Sequence, residues 1–163
     1  MGKQVARRPP FIAAPQQAAQ FTGGRMSHLE RKLSILIVED QDVMRRMLME
    51  FVQSAYPGMT VSAAAYGERA LELCRDNHPQ LVLMNVTLPD ANGIELTAQI
   101  REMLPETEVI IVSQHAVAAY VERAHAAGAF AYITKDKIYR NLLPTVGRAL
   151  GRGPSGGGHG DPQ

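Results

Sequence analysis

Cysteine is nearly absent from this chain, which has one residue of that type, Cys74, among 163. A single cysteine excludes a disulfide within the chain and a zinc site built from its own thiolates. Cys74 lies in the segment LELCRDN at helical spacing from Ala70, so we expect a buried, inert thiol. The five histidines show no metal-ligand spacing and are expected to be structural or exposed.

Long apolar segments are missing as well. No run approaches the roughly 18 to 20 apolar residues that span a bilayer, and the N-terminal region lacks the continuous apolar segment of a secretory signal. Hydrophobic residues nevertheless make up 45% of the chain, which is enough for one sizeable core. We therefore expect one cytoplasmic domain that does not associate with membranes.

The net charge of +1 conceals two regions of opposite sign. Residues 1–32 hold six Lys/Arg and one Glu, a net charge of +5, whereas residues 33–150 hold ten Lys/Arg and fourteen Asp/Glu, a net charge of −4. An acidic core argues against direct nucleic-acid binding. Residues 1–32 show no lasting apolar period and are predicted to form a flexible basic extension, and the Gly-rich residues 151–163 a disordered tail.

Between these ends, short apolar segments alternate with amphipathic ones. The predicted strands cover residues 33–38, 59–65, 81–84, 109–112 and 129–133. The predicted helices cover about 43–52, 67–77, 93–103, 117–127 and 138–150, where Pro144 predicts a late start or a bend in the last one. Five strand–helix units predict a doubly wound (βα)5 α/β fold, a flavodoxin-like parallel sheet of order 2-1-3-4-5.

Polar residues follow four of the predicted strands at the point where each strand ends. Glu39 and Asp40 follow the first strand, Asn85 the third, Ser113 the fourth and Lys135 the fifth. Each could simply cap the next helix. Because ligands bind beyond the carboxyl ends of parallel strands where the strand order reverses, four such ends together favour one shared site.

Four motifs in this order carry a family resemblance. ILIVED ends in the two acids, LVLMNVTLPDANGIEL surrounds Asn85, IIVSQH contains Ser113, and GAFAYITKD contains Tyr132 and Lys135. Together, over residues 33–150, they resemble the receiver domain of two-component response regulators. The pair Lys135-Asp136 is similar to receivers that precede a helix-turn-helix output domain, and we expect that the chain stands alone or has lost or been cut from such a domain.

The resemblance implies a signalling domain rather than an enzyme. A sensor histidine kinase or phosphotransfer protein would supply a phosphoryl group to a carboxylate at the end of the third strand, in the presence of Mg²⁺. Asp40 would ligate the metal, Glu39 would do so directly or through water, and the backbone carbonyl of Thr87 would be a further ligand. Residue 85 would be the phosphoacceptor position, and the Asn85 amide oxygen a weak metal ligand.

The same resemblance implies three switch residues. Lys135 would pair with the phosphoryl oxygens, Ser113 would move inward to bind the phosphoryl group, and Tyr132 would follow Ser113. The face formed by the fourth helix, fifth strand and fifth helix would then contact a downstream protein target. It could also form a homodimer, with Tyr120, Tyr139 and Arg140 as candidates, although a solvated helix face is an equal alternative.

Asn85 conflicts with the chemistry that the resemblance implies. Its amide has no negative charge and is a poor nucleophile, so it cannot form an acyl phosphate. Mg²⁺ binding should weaken too, since two unit charges ~4 Å apart interact by about 4 kcal/mol at an effective dielectric near 20, less the cost of dehydration. Either an Asp→Asn change has occurred in an ordinary receiver, or this is a pseudo-receiver that acts through phosphorylation-independent contacts. Gln114 either narrows access to the site or points outward.

Other phosphate chemistry finds little support in the sequence. The chain has no GxxxxGK[ST] loop, and no GxSxG sequence follows one of its predicted strands, as the nucleophile elbow of a hydrolase requires. Phosphatases of the haloacid-dehalogenase type need an aspartate nucleophile and a second aspartate two residues later, and here those offsets hold Asn85 and Thr87.

Overall fold

The structure is a computed structural model that describes residues 32–151. The predicted basic extension and Gly-rich tail lie outside the described residues, except for Lys32 and Gly151. Five strands form one sheet: β1 (Ser34–Val38), β2 (Thr60–Ala64), β3 (Leu81–Asn85), β4 (Glu108–Ser113) and β5 (Ala131–Thr134). All neighbours are parallel and the order is β2-β1-β3-β4-β5, which confirms the predicted doubly wound (βα)5 fold.

The helices follow the strands one by one. They are α1 (Asp42–Ala55), α2 (Gly67–Asn77), α3 (Gly93–Met103), α4 (Ala118–Ala126) and α5 (Ile138–Ala149). A 3-10 turn, Lys135–Lys137, joins β5 to α5. In this described part of the chain, no helix is both long enough and apolar enough to cross a membrane.

Apolar side chains fill both faces of the sheet, because alternate residues of each strand point to opposite sides. One cluster packs α2, α3 and α4 against the sheet around Met84 and Ile111, and it contains the buried Cys74. Burial raises the pKa of the Cys74 thiol to about 11, which disfavours the reactive thiolate. The other cluster packs α1 and α5 around Ile35 and Ile110.

The predicted start of β5 is wrong, whereas the predicted start of the last helix at residue 138 is confirmed. β5 begins at Ala131 rather than residue 129, because the Ala129 N–H bonds back to the Ala124 carbonyl at the end of α4. Helix α5 starts at Ile138 and continues through Pro144, so it does not start late. Pro144 lies on the exposed side, while buried residues before and after it, such as Leu142 and Val146, hold both halves of the helix against the sheet.

Candidate functional site

The strand ends enclose a polar cleft of about 250 Å³. Of the predicted site residues, Asp40, Asn85, Thr87, Ser113 and Lys135 line it. The structure therefore brings side chains from β1, β3, β4 and β5 to one place, as the strand order requires. It also places residue 114 there: the exposed Gln114 lines the mouth of the cleft.

The side-chain amide of Asn85 lies among oxygen acceptors. Its Nδ2 donates to the Thr87 carbonyl at 2.8 Å and to Asp40 Oδ1 at 3.0 Å, and it lies 3.4 Å from Glu39 Oε1. The side chain is 8% exposed. Because all three partners are acceptors, the nitrogen rather than the oxygen of the amide must face them. The four predicted metal ligands are therefore together, but they are joined through an N–H donor.

Glu39 is the buried acid beneath the cleft, with 1% of its side chain exposed. Its Oε2 pairs with Lys135 Nζ at 2.8 Å, and its Oε1 accepts the Gln41 N–H at 3.1 Å. The Lys135 side chain is itself only 8% exposed. A buried charge needs a partner of opposite sign, and here Glu39 and Lys135 neutralise one another.

Two of the three predicted switch residues, Ser113 and Tyr132, bond to a residue that the sequence analysis did not single out. Ser113 Oγ accepts the N–H of His115 at 3.3 Å, and the Tyr132 hydroxyl donates to the carbonyl of His115 at 2.6 Å. Tyr132 does not line the cleft itself. Only the backbone of His115 takes part in these bonds, so no side-chain motif pointed to it.

The loop after β3 is fixed by two close approaches. The Gly93 N–H donates to the Val86 carbonyl at 2.7 Å, and a Cβ on Gly93 would lie 1.9 Å from the carbonyl oxygen of Asn85. Only glycine fits there, which accounts for its place in the motif. Asp90 was missed: its carboxylate accepts the N–H groups of Gly67 and Glu68 at 2.8 and 3.0 Å.

Those bonds make Asp90 a cap for α2 that comes from a distant loop. Hydrogen bonds from the backbone of Glu68 and Gly67 lower the pKa of the Asp90 carboxyl. Sequence patterns find caps that are adjacent to their helix, and this one lies more than 20 residues away.

The two candidate dimer tyrosines differ in exposure and in the helices that they contact. Tyr120 and Tyr139 are 36% and 72% exposed. The ring of Tyr139 packs edge-on against Phe51 of α1 with centroids 5.5 Å apart, and its hydroxyl lies 3.3 Å from Met47 Sδ. Tyr139 therefore belongs to the α1–α5 side, whereas Tyr120 lies on α4.

A family model and known relatives are similar to this chain in sequence. The family model of the response regulator receiver domain matches residues 35–146. The transcriptional activator protein ExaE of Pseudomonas putida is 33% identical over 118 residues, covering 72% of this chain and 55% of ExaE. The polar-differentiation response regulator DivK of Brucella ovis is 31% identical over 120 residues, covering 72% of this chain and 96% of DivK.

Solved structures show the same fold. A crystal structure of a LuxR-family two-component response regulator from Aurantimonas matches with a TM-score of 0.68 at 30% identity, covering 74% of this chain and 86% of the other. A CheY-like receiver domain protein from Methanospirillum hungatei matches with a TM-score of 0.66 at 28% identity, covering 73% and 94%. The chain thus spans about half of ExaE and nearly all of DivK.

Proposed function

Because the chain belongs to the response regulator receiver domain family, we propose that it is a non-enzymatic, cytoplasmic receiver of two-component signalling that cannot accept a phosphoryl group. One observation carries the proposal: Asn85 occupies the centre of the cleft, where the acceptor carboxylate of a phosphorylatable receiver would stand. Its neighbours Asp40, Ser113 and Lys135 are of the types that the reaction needs.

The chemistry fails at the first step. Phosphoryl transfer to a receiver forms a bond between a carboxylate oxygen and phosphorus. The Asn85 amide has a neutral oxygen of low nucleophilicity, and its nitrogen donates to Asp40 and Thr87. The two nearby carboxylates do not replace it, because Glu39 is paired with Lys135 and Asp40 is the acceptor of the amide.

The substitution also affects the metal. Receiver domains generally bind Mg²⁺ at their phosphorylation site, through oxygen ligands. The resemblance implies Asp40, Glu39, the Thr87 carbonyl and the Asn85 amide oxygen as ligands, although the Asn85 amide turns its nitrogen toward the other three. We expect this chain to bind Mg²⁺ more weakly than a receiver with an acidic residue at position 85, because one anionic ligand is missing.

Signalling would then depend on protein contacts. Receiver domains interact with histidine kinases or phosphotransfer proteins and with output domains, and we propose the face of α4, β5 and α5 for a downstream protein target or a second copy. Only Ala124 of α4 is buried, and Val117 just before the helix is 49% exposed. In a longer protein, a helix-turn-helix output domain would be one such target.

Two versions of the proposal differ in what residue 85 does. If Asn85 is an Asp→Asn change in an ordinary receiver, the surrounding groups should support phosphorylation once an acid is restored. If the chain is a pseudo-receiver, its contacts should not depend on phosphate at all. The retained geometry of Ser113 and Lys135 favours the first version, and the hydrogen-bonded state of Asn85 favours the second.

Intact-mass spectrometry after incubation with acetyl phosphate and MgCl₂ tests the proposal. The wild-type chain should remain unmodified, and Asn85→Asp should gain one phosphoryl group that hydroxylamine removes. The double variant Asn85→Asp/Lys135→Met is the control, and it should gain little at a temperature where circular dichroism shows that it is folded. A phosphoryl group on the wild-type chain would refute the proposal, whereas an Asn85→Asp variant that folds but stays unmodified would leave only the pseudo-receiver version.

A further inference from the structure

We propose that the Asn85 side-chain amide takes the place of the divalent cation, so that the cleft is held together without metal. Nδ2 lies 2.8 Å from the Thr87 carbonyl and 3.0 Å from Asp40 Oδ1, with Glu39 Oε1 next at 3.4 Å. These oxygens are the ones that a receiver would turn toward its metal. Here they converge on two N–H groups, at hydrogen-bond rather than coordination distances.

The remaining oxygen ligands of the cleft do not suit Mg²⁺. Glu39 is committed to Lys135 and to the Gln41 N–H, which leaves Asp40 as the one cleft carboxylate without a cationic partner among residues 32–151. That part of the chain has no group of three His, Cys, Asp or Glu side chains placed to hold a metal ion. Mg²⁺ gives up its water reluctantly and needs anionic oxygen to compensate.

A cation would also have to displace existing bonds. To offer its oxygen, the Asn85 amide must rotate by half a turn, which ends its bonds to Asp40 and Thr87 and turns an N–H pair toward other groups. The amide and the cation thus compete for the same acceptors. The amide has the advantage that it is covalently attached and its side chain is buried.

The consequence concerns stability. In Asn85→Asp, three carboxylates and a carbonyl would face one another with only Lys135 to balance them, so the metal-free variant should be strained by repulsion. A ligand that binds only the folded state stabilises it. Mg²⁺ should therefore restore the stability that Asn85→Asp loses without metal. The stability of the wild-type chain should not depend on the ion.

The inference rests on the proposed role of position 85, but its test uses metal rather than phosphate. Melting temperatures of the wild type, Asn85→Asp and Asn85→Ala would be compared in EDTA and in millimolar MgCl₂ at matched ionic strength, with calorimetric titration of Mg²⁺ alone. The wild type should melt at the same temperature in both buffers and bind Mg²⁺ at least about 100-fold more weakly than Asn85→Asp. Asn85→Asp should melt lower than the wild type in EDTA and rise with Mg²⁺. Asn85→Ala should melt lower in both buffers, because it loses the amide without gaining a ligand.

Two results would overturn the inference. One is Mg²⁺ binding by the wild type that Asp40→Asn abolishes, a measurement that remains available if Asn85→Asp does not fold. The other is an Asn85→Ala variant as stable as the wild type, since the hydrogen bonds of the amide would then not stabilise the cleft. Either result, found with a wild type that takes no phosphoryl group, would overturn this inference alone, whereas a phosphorylated wild type would overturn the proposed function.

Discussion

Tyr132 and His115 are joined by a 2.6 Å hydrogen bond from the phenolic hydroxyl to the backbone carbonyl. The N–H of His115 donates to Ser113 Oγ, so the backbone of His115 is held at both its N–H and its carbonyl group. This arrangement links β5 to the loop that leads into α4. It gives a physical path by which a change at the cleft could reach the exposed α4 face.

Tyr132→Phe should loosen that loop without unfolding the domain. The variant loses one hydrogen bond, worth about 0.5–1.5 kcal/mol of net stability. We expect hydrogen exchange of the amides of residues 114–118 to accelerate while those of β1 and β3 stay unchanged. Tyr66→Phe is the matched control, because Tyr66 is 55% exposed and follows β2, which β1 and β3 separate from β4 in the sheet. Equal exchange in the two variants would show that the bond does not restrain the loop.

Gly93→Ala should be severely destabilising. The added Cβ would lie 1.9 Å from the Asn85 carbonyl oxygen, so the backbone of the cleft must move. Overpacking of this kind costs on the order of 1–3 kcal/mol or more in the free energy of unfolding. Gly58→Ala is the matched control, because nothing lies within 4 Å of a Cβ there. Urea unfolding measures both, and a Gly93→Ala variant as stable as Gly58→Ala would contradict the described geometry.

The ion pair of Glu39 and Lys135 should show strong coupling. Breaking a buried pair from one side leaves a charge without compensation, which costs about 3–5 kcal/mol for side chains as buried as these. Lys135→Met and Glu39→Gln should each destabilise the domain, and the double variant should lose clearly less than the two losses added together. A double-mutant cycle by chemical unfolding decides this. Additive losses would mean that the two groups do not interact.

Asp90 should contribute stability that depends on pH. Its folded-state pKa is lowered from the ordinary 3.8 by the α2 backbone N–H groups. The stabilisation is therefore fully present above about pH 4 and is lost as the pH falls through the lower folded-state value. Asp90→Ala should reduce the melting temperature by a few degrees at neutral pH, and the difference should shrink in acid.

Asp90→Asn is the control for that experiment, because an asparagine can still cap the helix but does not titrate near pH 4. Its stability relative to Asp90→Ala should not fall in the same acid range. If the wild type and Asp90→Ala differ by the same amount at every pH, the carboxylate has no special role at the start of α2.

The strand order and the convergence of polar residues could be predicted, because they depend on the alternation of strands and helices along the sequence and on which residues follow each strand. Buried runs such as residues 81–84 are readable from sequence, and the reversal of strand order then places Asp40 beside Asn85. The interactions that were not predicted join residues far apart in sequence or involve only backbone atoms. The capping of α2 by Asp90 joins distant segments, and the bonds to His115 use only backbone atoms.

Backbone conformation was the other limit. His78 ends α2 with a φ of +46°, a left-handed conformation that glycine usually adopts. In the sequence, the residue that indicates this helix end is Pro79, which directly follows. Gly128, two residues after the end of α4, has a φ of +95° and shows the usual case of a glycine in this conformation. A glycine after a helix indicates this conformation in the sequence, whereas a histidine at the same position does not.

The most direct test is an NMR measurement of the Asn85 side-chain amide protons. With these protons bonded to Asp40 and Thr87 in a buried position, they should exchange with water far more slowly than those of the exposed Gln114, and neither MgCl₂ nor acetyl phosphate should shift them. Exchange as fast as that of Gln114, or a saturable shift with Mg²⁺, would show that the amide does not occupy the centre of the cleft.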